Sequence, residues 1–145
     1  MTATPAQINQ LRQVNTQGNA IPYNATPGTG EPPEWWSNEY NPAWSWVCRD
    51  YVEYKAQQLR SAGWPVAGLL TVLTWTEVIN DPNDQWGGRE MHAVLRVAAN
   101  DDIYILDSRA PDIYKPEMPP FDYRWEKEQV AGTDGYRDIS QSGVA

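Results

Sequence analysis

Residues 45–65 read SWVCRDYVEYKAQQLRSAGWP, and the spacing within this stretch decides the fold. Cys48, Tyr51, Val52, Ala56, Leu59 and Ala62 recur every three or four positions, with Glu53, Gln57 and Arg60 on the other side, which is the period of a helix with one buried stripe. Ser45 can cap its start, Asp50 adds a favourable charge near the first turn, and Gly63 followed by Pro65 stops it. The pattern predicts a helix of about five turns that carries Cys48 in its first turn, on the inward stripe.

Downstream the period changes from helical to extended. Leu69 to Val78 is rich in Leu, Val, Thr and Trp and reads as a strand, whereas Asn80 to Glu90 holds Asp, Pro, Asn and two Gly and reads as a loop. Met91 to Ala99 and Ile103 to Leu106 are two further strands joined by a polar turn, an antiparallel hairpin. After the Pro-rich passage from Pro111 to Pro120, Phe121 to Trp125 is expected to add an edge strand. One helix followed by a small antiparallel sheet is an α+β arrangement.

Upstream, residues 1–43 concentrate Pro and Asn with no sustained apolar period, apart from a short helix between Pro5 and Val14. The expected organisation is an extended arm over residues 1–43, a compact domain over 44–127 and a polar tail over 128–145 that also suits a partner-binding strand. The arm ends in Trp35, Trp36, Tyr40, Trp44 and Trp46, too dense in rings for a solvated linker. This cluster either staples the arm to the domain or forms a wall of a substrate cleft in which Trp36, Trp44 and Trp46 touch the substrate.

Several partner classes are excluded early. The formal net charge is -8 and the basic residues are scattered, so nothing here tracks a phosphate backbone and nucleic acid is not expected. One Cys rules out an internal disulfide, and with one His it rules out the usual zinc sets. The opening MTATPAQINQLRQ lacks a basic start followed by an apolar run, so neither export by a cleaved signal nor a membrane anchor is expected. That leaves the cytoplasm or a phage virion as the expected location.

A thiolate attacks carbonyls well, but a free thiol near neutrality needs a local device that favours the anion. The positive end of its helix is one device open to Cys48, and an adjacent imidazolium is a stronger one. His92 is the only imidazole in the chain. A hairpin that sets His92 directly opposite Asp107, with a turn over Ala98, Ala99, Asn100 and Asp101, would aim both at one face, beside Val94 and Ile105, whereas a two-residue turn at Asp101 and Asp102 would pair Asp107 with Arg96 instead. The Cys48 helix is expected to cover that face. Each of the three has a simpler reading as well, namely a small core Cys, a structural His and an Asp that begins a turn.

The wording around them is more specific. Cys48-Arg49-Asp50-Tyr51-Val52 starts the helix, with Lys55, Leu59, Gly63 and Pro65 behind it, and His92-Ala93-Val94-Leu95 and Leu106-Asp107 follow in order. This set resembles the bacterial transglutaminase-like cysteine proteinase family, whose members show a Cys-x-Asp-Tyr helix, a His-x-Val-Leu strand and a Leu-Asp strand end. The match runs from about Trp46 to Trp125. Trp46-Val47 stands where members commonly carry Gly-Asp, and no Gln precedes Cys48 at the distance of an oxyanion donor. The resemblance implies a papain-like or transglutaminase-like core in which Cys48 attacks an amide, His92 shuttles the proton and Asp107 holds His92. It implies a thioester acyl-enzyme resolved by water or an amine, with no metal and no organic cofactor.

The leading expectation is therefore a cysteine peptidase or amidase acting on a protein, isopeptide or peptidoglycan-type bond. The rival from another class is a structural virion or tail component of a phage that keeps the fold and joins other proteins of a larger assembly through residues 1–43 and 128–145. A glycan-binding module built on the Trp cluster is the third.

Overall fold

A computed structural model of the chain describes residues 1–21, 48–77 and 89–144. Among these are two α-helices, α1 (Pro5–Asn19) and α2 (Cys48–Ser61), a short 3-10 turn at Val66–Gly68, and five strands. The strands are β1 (Leu69–Glu77), β2 (Arg89–Ala99), β3 (Asp102–Leu106), β4 (Arg124–Gln129) and β5 (Tyr136–Asp138). They form one antiparallel sheet in the order β3-β2-β1-β4-β5, so the fold is α+β as expected.

Helix α1 is specified locally. Thr4 caps it, its Oγ1 accepting from the Gln7 backbone N–H at 3.1 Å while the Gln7 side chain accepts from the Thr4 N–H at 2.8 Å, and Pro5 fills the first position. The expected short helix Pro5 to Val14 runs on to Asn19, and Leu11, Val14 and Gly18 are buried along it. Helix α2 ends as its sequence dictates: Gly63 takes a φ of 96°, and the Trp64 N–H returns to the Leu59 carbonyl at 3.0 Å.

Both helices cover one face of the sheet. Leu11 and Val14 of α1 and Val52, Ala56 and Leu59 of α2 pack with Ala93, Leu95 and Val97 of β2 and Leu106 of β3. Leu59 is fully buried, which stabilises the fold by about 2 kcal/mol relative to leaving it in water. The other face carries Val72, Val94 and Ile105, covered by Ile139, Tyr114, Trp125 and Val144, so residues beyond β5 are part of the packed unit.

The approach of α1 to α2 depends on one glycine. A Cβ on Gly18 would stand 2.8 Å from Lys55 Cε and 3.2 Å from Lys55 Cγ, inside ordinary contact distance. Gly18→Ala is therefore expected to destabilise the protein by about 1–3 kcal/mol through overpacking, although the same change in an open helix is favourable by about 1 kcal/mol. Urea unfolding reads the sign directly, and a more stable variant would mean that Lys55 is not held where the structure puts it.

Two expectations about the sheet need correction. Strand β4 begins at Arg124, later than the expected Phe121 to Trp125, and it lies inside the sheet between β1 and β5. Its apolar pattern is hidden because Glu128, opposite Val72, is turned inward and buried, held by Arg96 at 3.0 Å and Arg137 at 2.5 Å. The hairpin register also differs. Leu95 pairs with Leu106 and Ala99 with Asp102, which leaves a two-residue turn at Asn100 and Asp101 with Asn100 at a φ of 55°. Asn tolerates that left-handed backbone and so permits the tighter turn.

Candidate active site

Continuing the β2–β3 register past Leu106 sets Asp107 level with Val94, two residues from His92. A shift of two leaves the facing of side chains unchanged, so His92 and Asp107 still share a face as diagonal neighbours. That face is the one with Val94 and Ile105, and here the expectation that α2 covers it fails. Helix α2 lies on the opposite face, over Ala93, Leu95 and Val97. Cys48 meets His92 at the edge of β2, where the ladder to β3 has already ended, and the Ala93 N–H donates to Cys48 Sγ at 3.4 Å.

The three side chains are brought together. His92 Nε2 donates to Asp107 Oδ1 at 2.7 Å, and Cys48 stands near enough to the ring to favour its charged form, with Nδ1 the nitrogen left to face it. Cys48 is half-buried, His92 is buried, and Asp107 is sealed from solvent. The carboxylate is saturated with donors. Its Oδ1 also accepts from the Arg109 backbone N–H at 2.9 Å, and its Oδ2 accepts from the hydroxyls of Tyr114 at 2.8 Å and Tyr123 at 2.7 Å.

The electrostatics follow from these contacts. Burial alone would strip the proton from His92, but the hydrogen bond to Asp107, followed by the interactions with Cys48, outweighs it and lifts the ring to about 9. Burial would likewise raise Asp107, and it is overcome chiefly by the hydrogen bond from His92, with the Arg109 N–H and Tyr123 hydroxyl adding to it, so the acid stays ionised well below the usual range. Tyr114 and Tyr123 are pushed upward, first by burial and then by the neighbouring Asp107 charge, which keeps their hydroxyls protonated as donors.

A second ring of residues holds Tyr123 in place. Its ring centroid lies 5.8 Å from that of His92, the Arg109 guanidinium stands 4.6 Å over the Phe121 ring, and Arg109 donates to Thr76 Oγ1 at 2.5 Å. Sequence reading missed Tyr114, Tyr123 and Arg109, because their service to Asp107 depends on how the Pro-rich passage folds back along β3. The pairing of Ile105 with Tyr114 fixes that return, and no period in the sequence announces it. Lys55 did leave a signal. It sits seven residues after Cys48, hence on the inward stripe of α2, and it is buried.

Trp36, Trp44 and Trp46 lie outside the described residues. Among the described residues, no group of three or more His, Cys, Asp or Glu side chains stands close enough to hold a metal ion, and no helix is long and apolar enough to cross a membrane.

Comparison with known proteins bears on this arrangement. The model of the bacterial transglutaminase-like cysteine proteinase family matches residues 1–142. Among solved structures, calcium-bound LapG of Legionella pneumophila is similar at a TM-score of 0.67 and 23% identity, over 98% of this chain and 74% of that one. A second LapG structure gives a TM-score of 0.63 at 22% identity, over 92% of this chain and 70% of that one. The EGTA-treated form gives 0.55 at 21% identity, over 90% and 70%. A search of curated proteins finds no match.

Proposed function

The chain belongs to the bacterial transglutaminase-like cysteine proteinase family, and from that premise we propose that it is a cysteine peptidase or amidase with Cys48 as nucleophile, His92 as proton carrier and Asp107 as the group that holds the ring. The observation that carries this reading is that the chain's one thiol, its one imidazole and a buried carboxylate stand together, the ring hydrogen-bonded to the carboxylate and beside the sulfur.

Each partner has a defined task. Asp107 accepts from Nε2 and so leaves Nδ1 to face the sulfur, and its charge favours the imidazolium, which in turn favours a thiolate beside it. The thiolate adds to the amide carbon, and backbone N–H groups at the start of α2 are the candidate donors to the oxygen that gains charge. Collapse breaks the C–N bond as the ring gives its proton to the leaving amine, and the acyl group remains as a thioester. Water, or an amine, then adds to the thioester while the ring takes a proton back, and the sulfur leaves as thiolate. The bond cleaved is a peptide, isopeptide or cell-wall amide, with Trp36, Trp44 and Trp46 as candidate walls of the cleft.

The pH profile of Cys48 alkylation by iodoacetamide tests this. The thiol is expected to react readily at about pH 6, and His92→Ala is expected to slow it there by about tenfold or more, the equivalent of one pKa unit of lost thiolate stabilisation. A thiol that is inert, or whose rate ignores the loss of the ring, would sink the catalytic reading and favour the structural role in a virion or tail.

A further inference from the structure

The acyl-transfer chemistry makes no use of Lys55, yet this side chain is only 1% exposed. Lys55 Nζ donates to Asn15 Oδ1 at 2.8 Å and to Asn19 Oδ1 at 2.7 Å, and it lies 5.9 Å from the centre of the Tyr51 ring. With their oxygens turned to Lys55, the two amides turn their Nδ2 groups outward. Asn19 Nδ2 donates to the carbonyls of Asp107 at 3.0 Å and Ala110 at 2.9 Å, and Asn15 Nδ2 reaches the Ala110 carbonyl at 3.3 Å.

These contacts close a ring through the fold. Cys48 and Lys55 lie seven residues apart on α2, hence on one side of it and about 10 Å apart along its axis. The first meets His92, which meets the Asp107 side chain. The second meets Asn19, which holds the backbone of the same Asp107. Two donors on the lysine suffice for the two amides, and both its charged and its neutral form supply them. Gly18 lacks the Cβ that would block the approach of the lysine stem, so Asn15, Gly18 and Asn19 form one receiving face on α1.

We propose that Lys55 and Asn19 are positioning residues of the active site, clamping the turn that begins at Asp107 to the helix that carries Cys48. This rests on the reading of Cys48, His92 and Asp107 given above. A merely structural clamp would affect melting alone, whereas a positioning clamp also sets how well Asp107 meets the ring.

The test is the NMR titration of the histidine ring, which is unambiguous because the chain has a single His. In the wild type the ring is expected to titrate near 9. Asn19→Ala removes no charge, and it is expected to bring that midpoint down by about one pH unit. Lys55→Met is expected to lower it as well. Lys55 is lowered to about 7 and is mostly neutral where the ring titrates, so loss of its charge cannot produce the fall, and a rise would overturn the proposal. Asn19 is half-buried at the end of α1, so its variant is the one to rely on should Lys55→Met fail to fold. An unchanged midpoint in folded Asn19→Ala would also overturn the proposal. Should the midpoints move as expected while Cys48 alkylation ignores His92→Ala, the clamp stands and the catalytic reading falls.

Discussion

Asp107→Ala is expected to cost about 3–5 kcal/mol of stability and to abolish the His92-dependent reactivity of Cys48, because it breaks a buried charge pair and strands its partners. Four donors lose their acceptor at once: the His92 ring, the Arg109 N–H and the hydroxyls of Tyr114 and Tyr123. Asp107→Asn is expected to differ in kind. Its oxygen can accept from the ring and from Arg109, while its amide nitrogen faces two hydroxyls that can rotate to accept. The fold and the ring orientation should survive, and only the charge is lost. The His92 midpoint should then fall from about 9 toward its ordinary value near 6.5, with alkylation at about pH 6 slowed by roughly tenfold or more. Urea unfolding and the alkylation profile, measured on both variants, separate the two effects. Equal damage from Ala and Asn would show that the charge, and not the donor network, holds this part of the fold.

The second large effect is a pair of opposed pH dependences. His92 is raised in the folded state to about 9, so its contribution to stability is fully present below the unfolded value of about 6.5 and is lost as pH rises through about 9. Lys55 is lowered to about 7, chiefly by burial, against a partial correction from Asp107. At about pH 8 the unfolded lysine binds a proton that the folded one does not, so its penalty is present below about 7 and is relieved as pH rises toward 10.4. Over the shared window from about 7 to 9 the two slopes oppose each other and the wild type should be nearly flat. Lys55→Met should then lose about 1–2 kcal/mol across that window, its lowered ring midpoint ending the slope early, and His92→Ala should gain about 2–3 kcal/mol. Denaturant midpoints measured at the two ends of the window decide the matter. Slopes of the same sign in the two variants would mean that one of these groups is not titrating as its surroundings dictate.

The clamp and the linkage bear on the same residues, which is why charge-neutral Asn19→Ala carries the positioning argument. Lys55 stabilises geometry through its hydrogen bonds and opposes folding through its buried charge. In some proteins a buried polar group of this kind fixes register at a cost in stability. Here the register is that of the Asp107 turn against α2.

Sequence by itself determined the local elements and the facing of the key residues. The helical period placed Cys48 in the first turn of α2, Gly63 and Pro65 marked its end, and strand-favouring composition between polar breaks identified β1, β2 and β3. These features are set by neighbours in the chain, and the facing of His92 and Asp107 survived an error of two residues in register because side-chain alternation has a period of two. Tertiary structure alone decided which face α2 covers, how Cys48 reaches the ring over the open edge of β2, and which groups saturate Asp107. It also decided that a buried Glu128 can sit inside a strand, and that the end of α1 holds the acid's own backbone. Those outcomes join residues up to about ninety positions apart through hydrogen bonds that desolvation makes obligatory, and such pairings leave no period in a sequence.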